Sequence, residues 1–366
     1  MRNLKKVLSI TAAAAMAVST VTPVSVFAES EETFKIGVIG PMTGDYAQYG
    51  NGVYNAAKIA ADEINANGGF NGYQVEILDA GDDQGDPEKA VNAYNDLLDK
   101  GMQMLCGTVT SGSCIAVGAE AAESTFMFTP SATAVDSITA GSNEFRMCFT
   151  DPAQGTKSAQ YIGENNLAKK VAIIYNSSDI YSSGIEAKFV EEAANQNFEI
   201  VSAEAFTADN KTDFSVQLKK IKDSGAELLF LPNYYADNAL ILQQASEAGM
   251  DIKFFGVDGM DGILTLEGVD TSLAEGVMLL TPFNADATDE KTQSFVTKYQ
   301  ELYGDVPNQF AADAYDCVYA YKAALEASGA TADMSAEELC DKMIEAFPTL
   351  TYDGLTGTGI TWDSTG

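Results

Sequence analysis

Two hydroxyl-rich segments follow short apolar runs, and their side chains are the ones best placed to do chemistry. The segment TPSATA (129–134) follows FMF (126–128), and GTVTSGS (107–113) follows MLC (104–106). Each apolar run has the length and composition of a buried strand. A serine or threonine nucleophile needs an adjacent base, and the sequence contains no histidine. Two interpretations of these hydroxyls remain: they cap the helices that follow, or they also bind a ligand.

The sequence lacks the common motifs of nucleophilic and phosphate chemistry. It contains no G-x-S-x-G, no S-x-x-K, no P-loop lysine motif and no strict G-x-G-x-x-G. Paired acids occur at Asp82-Asp83 and at Asp258 with Asp261, but acids in loops usually cap turns or face solvent. We therefore expect no catalytic residue and no cofactor. A carboxylate-based hydrolase remains the alternative.

The cysteines and acids do not form a metal-binding pattern. None of the five cysteines belongs to a C-x-x-C pair, so neither a zinc nor a redox motif is indicated. Their odd number prevents complete pairing, and a Cys106–Cys114 bridge is the alternative to buried thiols. The acids of residues 79–86 do not have the spacing of a calcium loop. We expect no metal site.

Length and charge limit the class of protein. The chain has 366 residues, of which 46% are hydrophobic, and a formal net charge of −32. The length suits more than one domain. Binding to a nucleic-acid backbone requires clustered Lys and Arg, and anionic membrane surfaces attract basic segments, so both partners are disfavoured. A soluble, monomeric protein is expected.

The first 28 residues have the layout of a secretory signal peptide. Basic residues at positions 2, 5 and 6 precede an apolar, alanine-rich stretch, and Val26-Phe27-Ala28 supplies small residues at a cleavage site before Glu29. The first cysteine is Cys106, so no cysteine is available for lipid attachment at the cleavage point. We predict an exported protein, either periplasmic or extracellular at the cell surface.

Strand and helix patterns alternate along the rest of the chain. Predicted strands are 34–40, 73–78, 102–106, 126–129, 171–175, 228–231, 254–257 and 277–280; predicted helices are 53–67, 86–100, 184–196, 237–248, 290–303 and 309–328. Strands separated by helices indicate parallel βαβ units. The pattern restarts after residue 152, which predicts two doubly wound α/β lobes joined near residues 150–152 and 281–284. Ligands bind such sheets at the carboxyl ends of the strands, where both hydroxyl-rich segments lie.

A second group of short motifs carries a family resemblance. The motifs are IGPMTG (39–44), AQYG (47–50), ADEIN (61–65), DQGDP (83–87), TPSATA (129–134) and GVDG (256–259). In these segments the chain resembles the branched-chain amino acid-binding proteins, the Leu/Ile/Val type of substrate-binding protein that serves bacterial ABC importers. The resemblance implies a type I periplasmic binding protein fold with a multi-segment hinge. It implies a first lobe of 34–150 plus 284–352 and a second lobe of 152–282 plus 353–366.

The resemblance also assigns roles to individual residues. Ser111 and Thr133 match positions that hold a ligand carboxylate, and the Ser131 carbonyl matches the acceptor of its ammonium. The neighbouring Thr110 and Ala132 are further candidate ligand-binding residues. Asp258, followed by Gly259, matches the acid that pairs with that ammonium, and Tyr234 matches a residue that closes over the carboxylate. The positions that match residues around the ligand side chain are Tyr49, Val109, Tyr181 and Phe310.

Three features depart from the family pattern. The family acid is typically Glu, and the shorter Asp258 withdraws the carboxylate by about 1.5 Å, which leaves the ligand's identity open. Gly85 and Thr110 replace a disulfide of some members. Family members also continue beyond a stretch such as residues 361–366, so we expect a missing C-terminal segment.

The sequence predicts a two-lobed protein that captures a small amino acid by hinge closure and delivers it to the permease of an ABC importer. Closure buries the charges of the ligand between the lobes. Two alternatives keep the fold: another ligand, such as an amide, a keto acid or an aromatic acid, or a role as a ligand-sensing domain.

Overall fold

The computed structural model describes residues 32–266 and 268–366. The predicted signal peptide, residues 1–28, lies outside the described residues. Two parallel sheets organise the chain, and helices cover their faces. Within the described residues, no helix combines the length and the apolar character needed to cross a membrane.

The first sheet has the strand order β2-β1-β4-β5-β6, with β3 beside the end of β1, and every pair is parallel. Its strands are β1 (Thr33–Gly40), β2 (Gln74–Ile77), β3 (Gly81–Asp82), β4 (Met104–Gly107), β5 (Phe126–Thr129) and β6 (Glu144–Arg146). Strands β4 and β5 are buried throughout, as expected of a parallel sheet covered on both faces.

The second sheet has the order β11-β10-β9-β7-β8 and is also parallel. Its strands are β7 (Lys170–Asn176), β8 (Glu199–Phe206), β9 (Leu228–Leu231), β10 (Lys253–Gly256) and β11 (Met278–Leu279). The two α/β lobes predicted from the alternating pattern are therefore confirmed.

Ten helices connect or cover the strands of the described chain. They are α1 (Ala47–Ala66), α2 (Pro87–Asp99), α3 (Ser111–Ala121), α4 (Asp151–Glu164), α5 (Ile180–Ala193), α6 (Ser215–Ser224), α7 (Tyr235–Glu247), α8 (Glu290–Tyr303), α9 (Gln309–Ser328) and α10 (Ala336–Ala346). The bounds of α8 and α9 agree with the prediction because side chains cap their first turns and glycines end them: Asp289 and Asn308 accept from backbone N–H groups, and Gly304 and Gly329 are left-handed.

The start of α1 differs from the prediction, which placed a loop up to Gly52. The helix begins at Ala47 and contains both Gly50 and Gly52. A Cβ atom on Gly50 would lie 2.3 Å from the carbonyl oxygen of Pro41. Glycine is therefore present for close packing of the helix against the β1–α1 loop, and it does not end the helix.

The last described residues pack against the first sheet. The indole of Trp362 lies against the rings of Phe128 and Phe347, and its Nε1–H donates to the carbonyl of Arg146 at 2.8 Å. The carboxylate of Asp316 in α9 accepts from the backbone N–H groups of residues 355 and 356. These contacts differ from our expectation that residues 353–366 belong to the second lobe, because burial of the indole holds this segment at the first sheet. The remaining lobe boundaries stay predictions.

Candidate functional site

A small cavity lies between the two lobes, at the carboxyl ends of β4, β5 and β10. The space open to the centre of a water molecule measures about 10 Å³, enough for about one water. All its lining residues were predicted from the sequence: Tyr49, Val109, Thr110, Ser111, Ser131, Tyr181, Tyr234, Asp258, Gly259 and Phe310. Ala132 and Thr133 are fully buried behind this lining and do not contribute to it.

The first-lobe wall is built from the two hydroxyl-rich segments. Thr129 joins them, because its Oγ1 donates to the carbonyl of Thr108 at 2.7 Å and accepts from the N–H groups of Ser131 and Ala132. A second link runs from the hydroxyl of Ser131 to the carbonyl of Val109 at 2.9 Å. The two strand ends are therefore held together as one surface.

This first-lobe wall contains polar atoms whose bonding capacity is unused. The hydroxyl oxygen of Thr110, which lines the cavity, is buried without a hydrogen-bond partner among the described residues. Helix α3 begins at Ser111, and no side chain caps its first turn. Free N–H groups at a helix start carry a partial positive charge and favour a bound anion. The wall has the chemistry of a neutral carboxylate site.

Arg146 positions this wall from behind. Its guanidinium Nη1 donates to the carbonyls of Thr133 and Ala134 at 3.0 and 2.9 Å, and Nη2 donates to the carbonyl of Val135 at 3.1 Å. Arg146 was not among the site residues predicted from the sequence. The available signal was an arginine inside the otherwise apolar segment FRMCF (145–149), where it cannot face the core unpaired.

The second-lobe wall carries the acid. The Tyr181 hydroxyl donates to Oδ1 of Asp258 at 2.5 Å, and the Gly259 N–H donates to the same oxygen at 2.8 Å. The Asp258 N–H donates to the side chain of Gln154 at 3.1 Å. Burial raises the pKa of Asp258 to about 6, although the hydrogen bonds donated by Tyr181 and Gly259 oppose the rise. The carboxyl group is thus fixed in direction and is mostly ionised at pH 7.

Aromatic side chains complete the cavity and join the lobes. The Tyr49 hydroxyl donates to the Gly259 carbonyl at 2.5 Å across the cleft, and it accepts from the N–H of Tyr235 at 3.2 Å. Tyr181 and Tyr234 stack with their ring centroids 4.7 Å apart, and Phe310 contacts the ring of Tyr49 at 4.3 Å. The surface offered to an apolar group is therefore mainly aromatic.

Another buried acid lies close to the site. Both carboxyl oxygens of Asp151 are buried without a hydrogen-bond partner among the described residues. Burial raises its pKa to about 8; the neighbouring Thr133 hydroxyl opposes the rise, and repulsion from Asp258 and Asp179 adds to it. Asp151 is therefore mainly protonated at neutral pH and does not compete with Asp258 for a cation.

The described part of the chain contains no cluster of three acids or cysteines placed to hold a metal ion. All five cysteines are free thiols, so the alternative of a Cys106–Cys114 bridge is wrong.

This geometry defines a class of protein: a two-lobed binder whose cavity has hydroxyls and a helix N-terminus on one lobe and an acid on the other. A family model described as "Periplasmic binding protein" matches residues 33–366. The chain belongs to this family.

Individual relatives are similar over most of their length. The chain is 32% identical over 323 residues to the Leu/Ile/Val-binding protein homolog 3 of Brucella melitensis, covering 87% of this chain and 86% of the relative. It is 29% identical over 346 residues to the leucine-, isoleucine-, valine-, threonine- and alanine-binding protein of Pseudomonas aeruginosa, covering 94% and 89%. Its fold is similar to that of the Streptococcus pneumoniae substrate-binding protein LivJ in complex with isoleucine, with a TM-score of 0.82, 29% identity and coverage of 91% and 93%.

Proposed function

We propose that this protein captures an aliphatic α-amino acid, of the size of leucine, isoleucine or valine, and delivers it to the permease of an ABC importer. The observation that carries the proposal is the pairing of two complementary walls across one cavity. The first lobe offers hydroxyls and helix N–H groups for the carboxylate, and the second lobe offers Asp258 for the ammonium. The relatives are named as binding proteins for such amino acids, which supports the same ligand class.

Ligand capture requires movement of the lobes. An amino acid needs far more space than one water, so the lobes open to admit it and close against both of its charged groups. Closure removes the ligand's ammonium and carboxylate from water. The groups of the two cavity walls must then compensate for the lost hydration of each charge. A permease that recognises only the closed form would transport only when ligand is bound.

The predicted export signal agrees with this role. An importer's binding protein works outside the cytoplasm, and residues 1–28 have the composition of a secretory signal. We propose that the mature, monomeric chain begins at Glu29.

Calorimetric titration with truncated ligands tests the proposal. The panel contains leucine, isoleucine and valine; 4-methyl-2-oxopentanoate, which keeps the carboxylate and the tail of leucine but lacks the ammonium; and isoamylamine, which lacks the carboxylate. We expect micromolar or tighter binding of at least one amino acid. Loss of either charged group should weaken binding by about 100-fold or more, because a buried charge of the protein or the helix end then lacks its partner.

The outcomes separate the alternatives. Equal affinity for leucine and its keto acid would contradict the assignment of Asp258 to an ammonium and would favour a keto-acid or aromatic-acid ligand, which benzoate can probe. Binding without any growth defect in a deletion strain on limiting isoleucine would favour ligand sensing over import. Conversion of leucinamide to leucine by the purified protein would support a hydrolase.

A further inference from the structure

Lys211 lies between the lobes, in the segment that joins β8 to α6. Its ammonium contacts the first lobe just before α1: Nζ is 2.9 Å from Oδ2 of Asp45 and 3.4 Å from the hydroxyl of Tyr46. It also lies 5.3 Å from the centroid of the Tyr46 ring, a cation–π distance. Within residues 32–266 and 268–366, the other ion pairs each join residues of a single lobe.

The second lobe holds Lys211 in place independently of these contacts. Oδ1 of Asp237, in α7, lies 3.6 Å from its Nζ. Asp237 is 4% exposed, so its buried carboxylate needs the charge of Lys211. This need holds Lys211 in place whether or not the first lobe is near. Lys211 is therefore already held at the cleft before the lobes close. Closure then brings Asp45 of the first lobe into contact with it.

A chain of aromatic contacts connects Lys211 to the cavity. The ring of Tyr46 contacts that of Tyr234 at 4.7 Å, and Tyr234 stacks on Tyr181 at 4.7 Å with an interplanar angle of 4°. Tyr181 in turn donates its hydroxyl hydrogen to Asp258. Of this chain, Tyr46 belongs to the first lobe and the other residues to the second, so docking of Tyr46 completes the stack only when the lobes are closed.

We propose that Lys211 is a positioning residue for ligand capture: with Asp45 and Tyr46 it fastens the closed lobes at the side of the cavity without touching the ligand. The proposal rests on the proposed function, because it describes how the same site retains its amino acid. A contact made only in the closed form slows reopening, so it lowers the dissociation rate of every ligand by the same factor. It also makes affinity depend on salt, because the Asp45 carboxylate is largely exposed.

The test compares Asp45→Asn with Asp223→Asn in the full-length mature protein. Asp45→Asn removes the cross-lobe partner and leaves the Lys211–Asp237 pair intact. Asp223→Asn is a matched control, since its carboxylate is 63% exposed, as against 64% for Asp45, and pairs with Lys219 inside α6. Stopped-flow fluorescence with isoleucine and valine measures the association and dissociation rates at 20 mM and 500 mM NaCl.

We expect Asp45→Asn to raise the dissociation rate about two- to fivefold for both ligands at low salt, and Asp223→Asn to leave it unchanged. The difference between wild type and Asp45→Asn should shrink at 500 mM NaCl. Lys211→Arg, which keeps the charge, should retain most of the wild-type rate, and Lys211→Met should not. Unchanged dissociation in Asp45→Asn, or a change confined to one ligand, would overturn the proposal.

A second measurement keeps this inference separate from the proposed function. If no amino acid binds, the proposed function fails, but small-angle X-ray scattering of the ligand-free proteins still reports lobe closure. Asp45→Asn should then have a larger radius of gyration than wild type at low salt, whereas Asp223→Asn should match wild type. Identical radii in all three proteins, with unchanged rates where a ligand binds, would contradict a role of Lys211 in closure.

Discussion

The two walls of the cavity differ in how their polar atoms are used. On the first lobe, the hydroxyl of Thr110 and the first-turn N–H groups of α3 have no side-chain partner among the described residues. On the second lobe, Asp258 already accepts from Tyr181 and Gly259. The first lobe therefore has unpaired groups, here called reserved groups, that are available to a ligand. On the second lobe, hydrogen bonds within the protein already fix the direction of the Asp258 carboxylate.

This difference gives the walls different energetic roles. Buried polar groups without a partner lower the stability of the free protein. A bound ligand compensates for this loss because it supplies the missing hydrogen bonds. A prealigned carboxylate costs less, because its hydrogen bonds are already made, and it contributes mainly through its charge. Removal of the charge should therefore weaken binding and change stability in a way that depends on pH, whereas removal of a reserved hydroxyl should weaken binding and raise stability at any pH.

The largest expected effect is that of Asp258→Asn, which keeps the shape of the side chain and removes its charge. We expect leucine or isoleucine affinity to fall by about 2–5 kcal/mol, because the ligand ammonium is then buried without a counter-charge. The keto acid of leucine should bind the variant at least as well as it binds wild type. Calorimetry measures both.

The control for this substitution is Asp261→Asn, an acid three positions away that bonds to the backbone of Gly262 and Gln309 and does not line the cavity. An equal loss in the control would attribute the effect to damage of the loop and not to the charge.

Thr110→Val tests the unpaired hydroxyl on the first-lobe wall. Thr110 lines the cavity with a hydroxyl that lacks a partner, so its replacement by a methyl group should raise the free energy of unfolding of the ligand-free protein by about 1 kcal/mol. The same change should weaken amino-acid binding by about 1–2 kcal/mol, since one donor to the carboxylate is lost. Denaturant unfolding and calorimetry give the two values.

Thr129→Val provides the contrast. Its hydroxyl makes three hydrogen bonds that join the two segments, so the substitution should lower stability. If Thr110→Val also lowered stability, the hydroxyl of Thr110 would not be a reserved group.

Much of the first wall could be predicted from the sequence, because it is local. Polar residues directly after an apolar strand mark the carboxyl edge of a parallel sheet, and TPSATA and GTVTSGS have this order. The cavity-lining residues of the second lobe were placed by the family resemblance. Composition alone would not have separated Tyr181 or Phe310 from ordinary packing residues.

The features that the sequence analysis missed depend on contacts between distant segments. Arg146 bonds to carbonyls of a loop more than ten residues away, Trp362 reaches Arg146 across 216 positions, and Lys211 reaches Asp45 across 166. Strand and helix periodicity gives no information on such pairs. The start of α1 was missed for a related reason: Gly50 is required by the backbone of Pro41, and Gly52 by the side chain of Asn308, which is distant in sequence.

The pH dependence of binding tests the charged wall without a change of sequence. Only the ionised form of Asp258 attracts an ammonium, and its pKa is raised to about 6. Affinity should therefore be nearly constant above pH 7 and fall about tenfold between pH 7 and pH 5. Stability changes with pH in the opposite direction to affinity. A carboxyl group whose pKa is higher in the folded than in the unfolded protein stabilises the fold fully at pH values below its unfolded pKa. That contribution is lost as the pH rises through 6.

Asp258→Asn serves as the reference for both effects. Relative to this variant, wild type should lose stability between pH 4 and pH 7, and the pH dependence of affinity between 5 and 7 should be absent from the variant. A variant that keeps the wild-type pH profile would assign the titration to another group, such as Asp151 with its pKa of about 8.

The smallest expected effect is that of Tyr181→Phe, and it decides whether the second wall is prealigned by its hydrogen bonds. The substitution removes one of two donors to Oδ1 of Asp258 and leaves the Gly259 N–H in place at 2.8 Å. At pH 7.5 we expect a loss of only about 0.5–1.5 kcal/mol in affinity. The Tyr181 hydrogen bond lowers the pKa of Asp258, so its removal should shift the midpoint of the affinity profile to higher pH. A loss of affinity without this shift would mean that Tyr181 acts through packing on Tyr234, and that the acid is held in place by its own loop.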